Sequence, residues 1–154
     1  MKILIIGCGR VGARLARRLA SQDHEVSIVD EAREAFLRLG PNFEGKTYQG
    51  SGLDHDVLER AGAAGSEIGI TVTTGDNRNL MIAQLLQHKY GIQRTVARLH
   101  DPVRAKIFHD MGIETLCTTT IVEGLLENYI NQGHFPELPN EIAVNGDTAM
   151  LESI

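Results

Sequence analysis

The 154-residue chain has only two cysteines, Cys8 and Cys117, far apart in sequence and without a C-x-x-C pair. Neither a disulfide framework nor a zinc knuckle is indicated, and both thiols are expected to be reduced. Basic residues are also in short supply, with 15 Lys and Arg against 20 Asp and Glu, so the net charge is −5. A nucleic-acid partner, which needs a basic footprint, is disfavoured. No apolar run approaches the roughly 20 residues that span a bilayer, so direct membrane insertion is not expected. Without a signal-peptide pattern ahead of the first strand, the expectation is a soluble, cytoplasmic protein. The six histidines, at 24, 55, 88, 100, 109 and 134, form no H-x-x-x-H metal pair, and there is no G-x-S-x-G nucleophile turn. His100 and His109 read as surface or capping residues rather than catalysts. Internal repeats and low-complexity segments are absent.

What is present starts at the first dozen residues. The apolar run 3–6 leads straight into Gly7-Cys8-Gly9-Arg10-Val11-Gly12, and Val11, Leu15 and Leu19 then recur at four-residue spacing. This pattern predicts a buried strand turning tightly into a helix. Gly7 permits the sharp exit from the strand, Gly9 leaves room for a pyrophosphate against the backbone, and Gly12 allows helix and sheet to pack closely. The helix start adds free N–H groups and a partial positive charge. A second strand over 25–29 ends at Asp30, which lies 18 residues beyond Gly12. An acidic residue there suits the two hydroxyls of a ribose, and the neighbouring Glu31 adds to the charge that would repel a 2′-phosphate. The competing reading is that Asp30 merely caps a helix beginning at Glu31. Arg10, Arg14, Arg17 and Arg18 form a basic stripe on the first helix, of which Arg10 alone sits beside the phosphate turn.

Further along, residues 31–39 read as a helix, followed by Gly40-Pro41-Asn42-Phe43-Glu44-Gly45-Lys46-Thr47. This fits the phosphate-loop pattern G-x-x-x-x-G-K-T, but such a loop must follow a strand and open a helix. Here it follows a helix and runs into the next strand, so the match is accidental. A short third strand ends at Gly50-Ser51-Gly52, and a helix with an acidic start follows from Asp54. Strand four, over 68–72, leads through Thr73-Thr74-Gly75-Asp76 to a long helix, with Asp76 or Thr74 as its cap and Leu80, Ile82, Leu85 and Leu86 on its buried side. Strand five reaches Leu99, Asp101-Pro102 opens the next helix, strand six covers 113–117, and a last helix covers 119–131. Six alternations of strand and helix predict a doubly wound α/β domain, a mainly parallel six-stranded Rossmann sheet over residues 1–131. Residues 132–154 read as a linker and a hairpin, or as the start of a truncated C-terminal domain. On the last helix Ile121, Val122, Leu125, Leu126, Tyr129 and Ile130 make an apolar face wider than one contact with a sheet needs. Either the domain and the hairpin absorb it, or another chain does.

Taken together, Gly-Cys-Gly-Arg-Val-Gly, Gly50-Ser51-Gly52, the stretch from Thr74 through Gly75-Asp76-Asn77-Arg78-Asn79 to Leu80, Val96-Ala97-Arg98 and Asp101-Pro102 resemble the nucleotide-binding N-terminal domain of the regulators of potassium conductance, the RCK, KTN or TrkA-N family. The resemblance covers about residues 1–131. It implies a regulatory site for NAD(H) or ATP/ADP in which Gly7, Gly9, Arg10, Val11 and Gly12 hold phosphates, Asp30 the ribose, Ser51 and Gly52 the adenine side, and Thr73, Thr74 and Arg98 the distal end. It further implies a homodimer or larger ring on the cytoplasmic face of a potassium channel or transporter membrane subunit. Ser51 departs from the acidic residue frequent in that loop, and the family's usual C-terminal ligand-binding domain is absent or only begun here.

The alternative is an NAD-dependent oxidoreductase or its isolated cofactor domain. None of Tyr48, Tyr90 and Tyr129 is followed four residues later by lysine, so the Y-x-x-x-K pair of short-chain dehydrogenases is missing. A dehydrogenase also needs a proton-transfer group facing the nicotinamide. Without one visible in the sequence, the chain is read as a binding protein and not an enzyme.

Overall fold

The computed structural model describes residues 1–136. The chain divides into two units, Met1–Cys117 and a second that begins at Thr118. The first contains β1 (Lys2–Ile6), α1 (Arg10–Ala20), β2 (Glu25–Asp30), a 3-10 turn over Arg33–Leu39, β3 (Lys46–Gln49), α2 (His55–Arg60), β4 (Ile68–Thr71), α3 (Asp76–His88), β5 (Arg94–Leu99), α4 (Pro102–Asp110) and β6 (Glu114–Cys117). The second contains α5 (Thr118–Gln132). The hairpin expected beyond residue 140 lies outside the described residues.

All six strands are parallel, in the order β3-β2-β1-β4-β5-β6. Chain order reverses between β1 and β4, which creates a crevice beyond the carboxyl end of β1. Register makes the ends level: Ile6 pairs with Val29 on one side and Thr71 on the other. The Gly7 N–H donates to the Val29 carbonyl and the Val72 N–H to the Ile6 carbonyl, each at 2.8 Å.

β1 is buried on both faces, as a central parallel strand must be. Ile3 and Ile5 pack with Ala13, Ala16 and Ile28 under α1. Leu4 and Ile6 pack on the opposite face with Val57, Leu58, Ile82 and Leu86 of α2 and α3. Each such side chain contributes about 1.5–3 kcal/mol by leaving water. A third cluster, including Leu80, Ala97, Leu99 and Ala105, lies beneath α4.

Three local features refine or depart from the sequence reading. The face of α1 that is fully buried is Gly12, Ala13, Ala16 and Ala20, whereas Val11 is exposed and Leu15 and Leu19 are half-buried. Small residues let the helix lie close on the glycine turn, and the larger ones flank that contact. The segment after β2 is a 3-10 turn rather than an α-helix. Asp30 Oδ1 accepts the Ala32 N–H at 2.9 Å, which holds the chain in an Asx turn and delays the helical start. At α3 the cap position is Gly75, without a side-chain cap. Asp76 instead turns its carboxylate toward the chain that follows β5.

The other helix starts agree with the sequence. Asp54 caps α2 through the Asp56 and Val57 N–H groups, and Asp101 caps α4 through Val103 and Arg104 with Pro102 in the first turn. After Gly40, at φ +73°, the chain enters β3 at Lys46. No helix follows Lys46-Thr47, so the phosphate-loop match has no structural counterpart. Among the described residues no helix is long and apolar enough to cross a membrane.

Candidate functional site

A cleft of ≈ 770 Å³ opens beyond the carboxyl ends of the strands. Of the residues singled out in the sequence, Gly7, Gly9, Arg10, Val11, Asp30, Glu31, Gly52, Thr73, Thr74 and Arg98 line it; Gly12 and Ser51 do not.

The three glycines of the turn differ in what requires them. Gly7 has φ +110°, and a Cβ there would lie 2.9 Å from the backbone of Val72 and Thr73. A Cβ on Gly12 would collide with the Gly7 carbonyl oxygen, so this glycine serves the packing of α1 and not the cleft. Gly9 has φ −73° and ψ −171°, extended backbone open to any residue. Nothing lies within 4 Å of the Cβ it lacks. Neither backbone nor packing calls for glycine there; the space it keeps open belongs to the cleft, at the start of α1, where helix N–H groups and the helix dipole favour an anion.

Asp30 is held from both sides. Its Oδ2 accepts the Cys8 N–H at 2.6 Å, and its Oδ1 accepts the Ala32 N–H at 2.9 Å. Both sequence readings of Asp30 therefore have a basis, since it organises the following turn and also lies in the cleft. A carboxylate has about four lone-pair sites, so two remain for ligand hydroxyls. Cys8 is buried and its thiol donates to the Ala35 carbonyl at 3.3 Å. Burial, and next the Asp30 charge, push the thiol up to about 11, with the Arg38 guanidinium opposing. At neutral pH Cys8 is a protonated, poor nucleophile. Among the described residues both cysteines are free thiols.

Asn79 organises the far side. It is fully buried. Its Oδ1 accepts the Thr73 N–H at 2.8 Å and the Thr73 hydroxyl at 2.7 Å, and its Nδ2 donates to the carbonyls of Thr73 at 3.1 Å and Arg98 at 2.8 Å. Arg98 Nη2 donates to the Thr73 carbonyl at 2.8 Å, while its Nε is buried without a partner. The loop after β4 and the end of β5 are thus one hydrogen-bonded unit. Asp76 extends it: its carboxylate accepts from the backbone N–H of His100 and of Asp101 and pairs with His100 Nδ1 at 2.9 Å. Burial alone would raise the Asp76 carboxyl, but the Asp101 N–H and the His100 side chain and backbone hold it below its usual range.

At the adenine end named by the resemblance, Gly52 lines the cleft, and core packing requires glycine there because a Cβ would strike the Ile6 side chain. Ser51 stands outside it, with its hydroxyl accepting the Leu53 N–H at 3.3 Å. The sequence reading missed Arg38 and Arg78, both in the lining, and Asn79 as the internal clamp. Arg78 Nη1 pairs with Glu31 Oε2 at 3.2 Å. Arg78 and Asn79 lie in the first turn of α3 and belong to the signature that carries the resemblance, whereas Arg38, in the last turn of the 3-10 segment, had no such signal.

A parallel sheet whose order reverses beside a glycine turn, with an acidic residue ending the second strand, defines a Rossmann-type doubly wound domain. Within that class the chain belongs to the TrkA-N domain family, whose model matches residues 3–119. It is 39% identical over 118 residues to the Trk system potassium uptake protein TrkA of Streptomyces coelicolor, an alignment covering 77% of this chain and 53% of that protein. It is 32% identical over 111 residues to the TrkA homolog of Pyrococcus horikoshii, covering 72% and 49%. The chain thus spans about half the length of these relatives. Among solved structures it is similar to the TrkA-N domain of the inner membrane protein ybaL from Escherichia coli, with TM-score 0.71, 18% identity and coverage of 82% and 94%. GsuK bound to ADP is also similar, with TM-score 0.71, 20% identity and coverage of 86% and 34%. These structural likenesses establish the shared fold.

Proposed function

We propose that the cleft binds NAD(H) or an adenine nucleotide, ATP or ADP, and that the chain is the regulatory nucleotide-binding part of a potassium uptake system, acting on a channel or transporter membrane subunit from its cytoplasmic side. The observation that carries this reading is Gly9, a glycine with ordinary φ and empty surroundings at a helix N-terminus. That vacant volume fits a pyrophosphate against the backbone. Gly7, Gly9, Arg10 and Val11 would hold the phosphates, with Gly12 keeping α1 in place beneath them. Asp30 would take the ribose, Gly52 and its neighbour Ser51 the adenine side, and Thr73, Thr74 and Arg98 the distal end. The TrkA relatives and the TrkA-N family support the potassium assignment. Ligands of different charge or length act as a switch when they bind two arrangements of the loops after β1, β4 and β5 unequally.

The TrkA-N family and the TrkA relatives favour binding over catalysis as the role. The cleft's thiol, Cys8, is held protonated and is a poor nucleophile. α5 carries Ile121, Val122, Leu126, Tyr129 and Ile130 exposed, which supports a homodimer or larger ring. Calorimetric titration with NAD, NADH, ATP and ADP tests the reading; no heat with any of the four removes it, and hydride transfer to a hydroxy acid or aldehyde would favour the oxidoreductase alternative.

A further inference from the structure

The strand order puts β1 between β2 and β4. Glu31 directly follows β2, and Arg78 lies in the first turn of α3, which follows β4. Their 3.2 Å ion pair therefore spans the carboxyl end of β1, over the glycine turn, and both residues line the same cleft as Gly9 and Arg10. The pair joins the two halves of the sheet across the path that a pyrophosphate on Gly9 would occupy. Both side chains are about half exposed, 46% for Arg78 and 53% for Glu31. Exposed ion pairs contribute little, at most roughly a fivefold shift in an equilibrium, so this one is easily exchanged.

We propose that Glu31 and Arg78 form a strap over the glycine turn that the phosphates of a nucleotide displace, Arg78 passing from the carboxylate to a phosphate oxygen. Guanidinium binds phosphate in the same two-pronged way as carboxylate, and a diphosphate brings more charge than Glu31. The N-terminus of α1 favours that charge beneath the strap. The freed Glu31 then stands beside Asp30. Arg78 becomes the group through which phosphate occupancy over β1 is felt by α3 and, through Asn79, by the loop after β4. The proposal rests on the nucleotide reading above.

Isothermal titration of the unmodified chain, Glu31→Gln and Arg78→Gln with ADP, inorganic pyrophosphate and adenosine separates the possibilities. Removing the competing carboxylate should tighten ADP and pyrophosphate about three- to fivefold. Removing the guanidinium should weaken both about tenfold or more. Adenosine, which has no phosphate, should stay within about twofold in both variants, and melting curves should confirm that both fold. If Glu31→Gln binds ADP no more tightly, or Arg78→Gln binds it as well as the unmodified chain, the strap is wrong while the nucleotide site stands. If Glu31→Gln weakens adenosine and ADP alike, Glu31 is a ribose ligand and the strap is again wrong. If the unmodified chain binds neither ADP nor pyrophosphate, and neither NAD(H) nor ATP, both readings fall.

Discussion

The backbone N–H of Cys8 donates to Oδ2 of Asp30 at 2.6 Å, so the residue proposed to meet a ribose also fixes the middle of the glycine turn. The acidic end of β2 and the phosphate turn are one structure: the carboxylate orients a backbone that an anion would approach, and the turn holds the carboxylate at the cleft.

Asp30 and Glu31 together set the expected preference between cofactors. A 2′-phosphate would meet the Asp30 carboxylate, and a ligand at a hundred times its dissociation constant adds about 2.7 kcal/mol of stability. Thermal melts should rise with NADH and much less with NADPH. Asp30→Ala should cost about 1–3 kcal/mol by leaving the Cys8 N–H without its acceptor, and should abolish the NADH shift. Equal shifts with NADH and NADPH would remove the ribose role and leave only the structural one.

Asn79 is a buried polar group with four hydrogen bonds to the Thr73 and Arg98 segments. Asn79→Ala strands their backbone groups and leaves a cavity, so urea unfolding should show a loss of about 3 kcal/mol. An unchanged urea midpoint would mean that water or rearranged neighbours replace the clamp at no cost.

Asp76 gives the domain an acid sensitivity of definite sign. Its folded carboxyl titrates below the ordinary value, and in the unfolded chain an aspartate titrates near about 3.9. The stabilisation is fully present above that value and is lost as the pH falls through the lower folded one. Urea midpoints should therefore favour the unmodified chain over Asp76→Asn at pH 6, with the gap closing below about pH 4. A gap that stays constant or widens as the pH falls would contradict the arrangement of His100 and Asp101 around this carboxylate.

How much of this was legible in the sequence depends on the range over which each feature is determined. The strands, their parallel arrangement and the glycine turn rest on local periodicity and on glycines whose role is set within a few residues, as at Gly12 against the Gly7 carbonyl. Asp30 was legible because its spacing from Gly12 is fixed by one helix and one strand. The Arg78–Glu31 pair spans 47 positions and the Asp76–His100 contact 24; nothing local announces either. The spacing of Val11, Leu15 and Leu19 announced α1, but not that close approach to the glycine turn selects Ala13 and Ala16 as residues it buries fully. Asn79 was visible as part of a signature, but its role depends on two loops that meet only in the folded sheet.

Gly9 and Gly12 separate site from scaffold most directly. Gly12→Ala places a methyl group on the Gly7 carbonyl and should destabilise the domain by several kcal/mol, as overpacked sites do. Gly9→Ala places one in open space within the cleft, at a helix cap where alanine costs no more than about 1 kcal/mol. The measurement is calorimetric titration of the unmodified chain and Gly9→Ala with NADH and ATP, alongside a melt of each. A nucleotide site on the glycine turn predicts binding to the unmodified chain, a fold retained in Gly9→Ala, and an affinity reduced at least about tenfold. Equal affinities in the two proteins, or no binding in either, would contradict it.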